Sequence, residues 1–236
     1  MSQQESETRM GRSRLVTVWV FILWASGCQT GPEKATEHSP WADAIRAFED
    51  ADRTAPPAPG SILFVGSSSI RLWNLAESFP DLPVMNRGFG GSHMADCAQF
   101  ADRIVIPYRP QVVVLYAGDN DIAAGKPPET VLSDFKAFTS LVLDRLPDCR
   151  IDFISIKPSP QRWRFAGEMR RANEIIREWI ATDSRLSYVD VAKPMLGPDG
   201  APRPELFAQD KLHMSPEGYR LWASTLRPVL EAARRG

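Results

Sequence analysis

Five short apolar runs punctuate the middle of the chain: Ile62–Val65, Pro83–Met85, Val112–Tyr116, Ile151–Ile156 and Leu186–Val191. They are rich in β-branched and aromatic residues and mostly lack polar alternation, the pattern of strands covered on both faces. Between them, apolar positions recur at helical spacing over Ile70–Ser78, Ser92–Ile106, Pro128–Leu146 and Phe165–Ala181, with Pro216–Arg234 after the last run. A further amphipathic helix over Trp41–Arg53 sets Trp41, Ala44, Ile45 and Phe48 on one face, and Pro56, Pro57 and Pro59 end it. Strands alternating with helices predict a three-layer α/β/α domain around a five-stranded parallel sheet.

In such sheets ligands bind beyond the carboxyl ends of the strands, so the informative positions are the polar ones that follow each run. Gly66-Ser67-Ser68-Ser69 follows the first, Asn86-Arg-Gly-Phe-Gly-Gly91 the second and Gly118-Asp-Asn-Asp121 the third. A serine hydroxyl becomes a nucleophile only when a base takes its proton and a third group fixes that base. Of the three histidines, His38 lies in a polar segment, His93 stands at a helix start, and His213 follows Asp210 by three residues. Asp210 and His213 are therefore the candidate acid and base, and any of Ser67, Ser68 and Ser69 the hydroxyl. The oxyanion formed on attack needs donors already in place. The Gly91 backbone N–H, the Asn120 side chain and the N–H at the start of the helix after the serines are candidates.

Each cluster also has a plainer reading. The glycines make tight βα turns, Asp119-Asn-Asp121 starts a turn through local hydrogen bonds, and the serine loop cradles the phosphate of a flavin or nucleotide. The last leaves Asp210 and His213 unexplained.

The 236 residues, 43% hydrophobic and 24% charged, suffice for one well-buried domain. A formal net charge of −1 with no long basic run argues against a nucleic-acid partner. At the N-terminus, Arg9, Arg12 and Arg14 precede an apolar run from Leu15 to Ala25, followed by Ser26-Gly27-Cys28. That is the layout of an export signal, and eleven residues rise only about 16 Å as a helix, too short to span a bilayer. The expected organisation is a signal over residues 1–27 cleaved before Cys28, a polar tether over 28–40 and a folded domain over 41–236. Ala25-Ser26-Gly27-Cys28 resembles a bacterial lipobox, which implies lipid on Cys28 and a place in the cell envelope; plain secretion is the alternative. Cys97 and Cys149 are expected as buried free thiols. No zinc-type spacing occurs, and no metal or cofactor is expected.

Taken together and in order, Phe64-Val-Gly-Ser-Ser68, Asn86-Arg-Gly-Phe-Gly-Gly91, Gly118-Asp-Asn120-Asp121 and Asp210-Lys-Leu-His213 resemble the four blocks of the SGNH (GDSL-like) hydrolase family. The resemblance spans about Ile62 to Tyr219. It implies a flavodoxin-like fold and a metal-free serine esterase or acyl hydrolase, with Ser68 as nucleophile and Asp210 and His213 completing the triad. It further implies Ser68, Gly91 and Asn120 as oxyanion donors. One position departs from the pattern: Ser67 stands where the family has Asp.

The loop Lys157-Pro-Ser-Pro-Gln-Arg-Trp-Arg164 follows the fourth run on the same edge, so Arg162, Trp163 and Arg164, with Phe89 and His93, are candidate substrate contacts. Trp73 is expected in the helix core. An exported enzyme meets glycans and lipids, and no long apolar insertion suggests a lid. The expected substrate is thus a short-chain, acetyl-type ester on a carbohydrate. The alternatives are a lysophospholipase- or thioesterase-type acyl hydrolase and a catalytically silent glycan-binding lipoprotein.

Overall fold

The apolar runs become strands because both of their faces are covered. In the computed structural model, which describes residues 39–57 and 59–233, β1 (Ile62–Gly66) and β3 (Val112–Tyr116) are buried at every position. Leu63, Val65, Val113 and Leu115 face one apolar layer, while Ile62, Phe64, Val114 and Tyr116 face the other. With β2 (Val84–Gly88), β4 (Arg150–Ile154) and β5 (Leu186–Val189) they form a parallel sheet of order β2-β1-β3-β4-β5. Its C-terminal edge opens where the order reverses, between β1 and β3.

On one face pack α1 (Ala42–Thr54), α4 (Met94–Ile104), α6 (Pro128–Arg145) and α7 (Ala166–Ile180), through Ile45, Phe100, Phe138 and Ile176. On the other lie α2 (Ser68–Arg71), α3 (Leu75–Ser78) and α8 (Pro216–Ala233), through Ile70, Leu75, Trp222 and Leu226. Burying one such aromatic or aliphatic side chain contributes roughly 1.5–3 kcal/mol. The two layers are therefore the main source of stability. A short helix, α5 (Asp119–Ala123), follows β3.

Three expectations change in detail. The second strand runs on through Asn86 and Arg87, which the polar pattern places in a loop. β2 is an edge strand whose first four residues are only half-buried, so polar side chains fit there. Arg87 is used structurally: it pairs with Asp52 of α1, donates to Tyr108 Oη at 3.0 Å and lies over the Phe48 ring. The single helix expected over Ile70–Ser78 is two helical turns, because Asn74 starts a new one by accepting the Glu77 N–H at 3.3 Å. The fifth strand stops at Val189 and the fourth at Ile154, each two residues early. There Ser155 turns away to accept the N–H groups of Val191 and Ala192 through Oγ.

Cys97 and Cys149 are buried and not disulfide-bonded. Burial pushes both thiols up, Cys149 to about 12, which makes them inert packing groups. The expected signal, Cys28 and residues 28–38 of the tether lie outside the described residues. Among the described residues no helix is long and apolar enough to cross a membrane.

Candidate active site

The turn after β1 is fixed by backbone geometry. Gly66 has φ 142°, and a Cβ there would sit 1.9 Å from the Tyr116 carbonyl oxygen of β3. Only glycine lets β1 and β3 stay this close while the chain bends out of the sheet. Ser67 N then donates to Tyr116 O at 3.0 Å, and the Ser67 carbonyl accepts from Ile70 and Arg71. Ser68 becomes the first residue of α2, half-buried at the sheet edge. α2 has four residues instead of the nine expected, so its contribution at Ser68 is chiefly a free N–H at a helix start and little macrodipole.

His213 Nε2 lies 3.1 Å from Ser68 Oγ, and His213 Nδ1 lies 2.5 Å from Asp210 Oδ2. A carboxylate only accepts, so Nδ1 carries the ring proton and Nε2 is left to accept from the serine hydroxyl. Asp210 Oδ1 accepts the backbone N–H groups of Leu212 and His213 at 3.0 and 2.9 Å. The bond from the His213 ring above all, with those of the Leu212 and His213 backbone N–H groups, holds the Asp210 carboxyl down at about 2. It is a carboxylate throughout the range in which a neutral histidine works as a base. Of the three serines, Ser68 is the one whose hydroxyl meets His213.

The other two are buried. Ser69 is buried and its carbonyl accepts from Tyr219 Oη of α8 at 3.0 Å. Ser67 is fully buried, and its Oγ has no hydrogen-bond partner among the described residues. A buried hydroxyl with nothing to bond costs stability and adds none. Ser67→Ala is therefore expected to leave the unfolding free energy unchanged or to raise it by up to about 1–3 kcal/mol, the penalty of a buried hydroxyl without a partner, read from urea denaturation midpoints. A loss near 2 kcal/mol would mean that the hydroxyl is bonded after all.

The loops after β2 and β3 are tied to this turn and to each other. Asn86 Nδ2 donates to the carbonyls of Ile70 and Trp73, and Phe89 N donates to Gly66 O at 2.9 Å. Trp41 Nε1, at the start of α1, holds Gly90 O at 2.9 Å. Gly91 follows, exposed, at φ 80°. Asn120 Nδ2 reaches across from α5 to donate to Ser92 O at 2.9 Å. Asp121, fully buried, accepts the Met94 N–H at the start of α4 and the Lys126 ammonium. The candidate donors Gly91 and Asn120 thus belong to one braced surface.

The remaining candidate contacts separate. Phe89 is completely buried, edge-on to Trp41 and Phe100. It packs as a core residue, and the Trp41 hook and the Gly66 bond flank it on either side. Trp73, as expected, packs in the core, stacked on Tyr219. His93 heads α4, where its N–H donates to Asp96 at 2.7 Å while its ring faces Asp121. The segment Pro160–Phe165 forms a 3₁₀ turn that distributes its side chains. Trp163 lines a small recess with Pro158, Met169 and Leu196, and Arg164 stacks on Phe165. Arg162 turns inward, donating to Asp119 Oδ2 and to Asn120 Oδ1, each at 2.9 Å.

Asp119 also accepts from Lys157, a lysine only 1% exposed, at 3.1 Å. Burial alone raises Asp119, but Lys157 and Arg162 outweigh it and hold the carboxyl below its usual range. Sequence reading missed this cluster. The one signal was a lysine directly after an apolar strand, in a stretch that is buried from Ile151 to Ser159. Among the described residues no group of three metal-ligating acidic, histidine or cysteine side chains occurs.

A three-layer α/β/α sheet with a serine at the end of β1 and an Asp-x-x-His near the C-terminus defines the class, and comparison with known proteins narrows it. The profile of the GDSL-like lipase/acylhydrolase family matches residues 69–221, beginning one residue after Ser68, and the chain belongs to that family. No curated protein sequence matches it significantly. Solved structures share the fold. One is a Streptococcus pneumonia protein provisionally described as a platelet activating factor, with a TM-score of 0.72 and 22% identity over 80% of this chain and 92% of that one. Another is a GDSL-like lipase from Bacteroides thetaiotaomicron, with a TM-score of 0.70 and 18% identity over 80% and 98%. A third is a carbohydrate esterase family 3 protein from Talaromyces cellulolyticus, with a TM-score of 0.59 and 14% identity over 75% and 99%.

Proposed function

We propose that the chain is a serine esterase in which Ser68, His213 and Asp210 act as the catalytic triad. The observation that carries this reading is the continuous chain of contacts from Ser68 Oγ through His213 to Asp210, at 3.1 and 2.5 Å. In it, His213 Nε2 takes the hydroxyl proton as Ser68 Oγ attacks the ester carbonyl, and Asp210 stabilises the imidazolium. The carbonyl oxygen becomes an oxyanion met by the N–H groups of Ser68 and Gly91 and by Asn120 Nδ2. Collapse breaks the ester C–O bond, and the alcohol leaves with the proton returned by His213. Water, deprotonated by the same histidine, then hydrolyses the acyl-Ser68 ester and regenerates the hydroxyl.

For the substrate we favour a short acyl group, acetyl above all, on a carbohydrate. Support comes from the structural neighbours described as an acetyl esterase, a family 3 carbohydrate esterase and an acetyl xylan esterase. A second reading has an observation of its own. Leu72, one turn beyond Ser68 and 45% exposed, borders a groove of about 710 Å³ lined by Trp73, Met214 and Tyr219 and by Glu77, Arg220 and Arg227; it lies beside the triad, where a longer acyl chain of the lysophospholipase or thioesterase type would run. A series of p-nitrophenyl esters from acetate to palmitate, run beside acetylated xylooligosaccharides, separates the two. The favoured reading expects kcat/KM to fall at least roughly tenfold from C2 to C8, with acetate released from the oligosaccharide. A maximum at C8 or beyond favours the groove. We further propose export, with cleavage before Cys28 and lipid on that cysteine holding the domain at the cell envelope by the 28–40 tether.

A further inference from the structure

We propose that Arg162 is a positioning residue for the oxyanion hole: clamped by Asp119, its guanidinium holds the Asn120 amide in the one orientation that presents Nδ2 as a donor. The inference rests on the reading of Asn120 as an oxyanion donor. Arg162 Nη2 donates to Asn120 Oδ1 at 2.9 Å, and Asn120 Nδ2 donates to Ser92 O at 2.9 Å. A guanidinium has only donors and a backbone carbonyl only accepts. Turning the amide over would set its NH₂ against the guanidinium and its oxygen against the Ser92 carbonyl. The orientation is therefore fixed from both sides, and one Nδ2–H is left over after the bond to Ser92.

Arginine is itself held in place. Nη1 donates to Asp119 Oδ2 at 2.9 Å, and that oxygen also accepts from Lys157 at 3.1 Å. The side chains of Lys157, Asp119 and Arg162 are 1%, 6% and 18% exposed. Two cations share one carboxylate, so a net positive charge stands behind Asn120 in a poorly solvated place, where hydrogen bonds polarise one another strongly. A cationic donor on Oδ1 draws electron density from the amide and makes the free Nδ2–H a better donor. The planar fork aims two donors in a fixed geometry at Asp119 and Asn120, a rigidity that a flexible ammonium lacks. Lys157 serves the other half of the arrangement by keeping Asp119 paired.

The test is a double-mutant cycle of Arg162→Met and Asn120→Ala on p-nitrophenyl acetate, with a thermal melt for each variant. Arg162→Met leaves Lys157 on Asp119, so the buried carboxylate keeps a cation. It is expected to lower kcat roughly tenfold to a hundredfold, as for loss of a hydrogen bond to a charged group, with KM within about twofold. In the Asn120→Ala background it is expected to cost less than about threefold more. Should Arg162→Met fail to fold, Arg162→Lys provides the same readout, since it keeps the charge but loses the fork. A raised KM at unchanged kcat would make Arg162 a substrate contact and overturn the proposal. Full multiplication of the two losses, or wild-type kcat in the Arg162 variants, would overturn it as well. Wild-type kcat in Asn120→Ala is the distinct result that removes the oxyanion reading and the inference together.

Discussion

Ser68→Ala is expected to lower kcat on p-nitrophenyl acetate by roughly 10⁴- to 10⁶-fold while leaving the melting temperature and KM close to wild type. The size follows from what is lost. Without Oγ there is no acyl-enzyme, and His213 and Asp210 have no proton to take. Residual turnover would come from water attacking an ester still polarised by the oxyanion donors. The folded state has little reason to respond, because the half-buried Ser68 hydroxyl meets only His213 in the hydrogen bonds described, while the backbone bonds of the turn remain. Ser67→Ala, at a position fully buried and facing no base, is the matched control. A kcat unchanged in Ser68→Ala but lost in Ser67→Ala would reassign the nucleophile.

The second large effect is on the fold. Gly66→Ala would place a methyl group 1.9 Å from Tyr116 O and 2.7 Å from Tyr116 C, at a φ of 142° that L-residues rarely adopt. These are backbone atoms of a central strand, so no side chain can swing aside. Relief requires β1 and β3 to part at the end of their ladder, where Ser67 N bonds Tyr116 O. We expect a loss of more than about 4 kcal/mol, the range reached only by severe strain or core damage. For a domain of this size that is a drop of roughly 10 °C or more in melting temperature, or no soluble protein. Scanning calorimetry measures it, and a melting temperature within about 2 °C of wild type would mean that the turn has room.

How far the chain could be read without its structure varied with how local each signal was. β1 and β3 were legible because burial on both faces leaves an unbroken apolar run. β2 was only half legible, since an edge strand tolerates Asn86 and Arg87, whose partners Ile70, Asp52 and Tyr108 lie far along the chain. Asp210 and His213 announced themselves by sitting three residues apart after the last strand. Which serine meets them was not written in the local sequence: Ser67, Ser68 and Ser69 differ only in where the Gly66 turn and the start of α2 aim each side chain. Phe89, set between glycines, reads as a pocket residue, yet it is buried by bonds from Trp41 and Gly66 that no periodicity records. The partners of Arg162 were not legible, because Asp119 is 43 residues away and the 3₁₀ turn that carries the arginine has no apolar pattern.

The central claim is that Ser68 is the nucleophile. Its most direct test is to treat the wild-type protein with a fluorophosphonate, then digest it and locate the adduct by mass spectrometry. One phosphonyl group on Ser68 is the expected result, absent after prior denaturation. An adduct on Ser67 or Ser69, or none on a folded protein, would contradict the account.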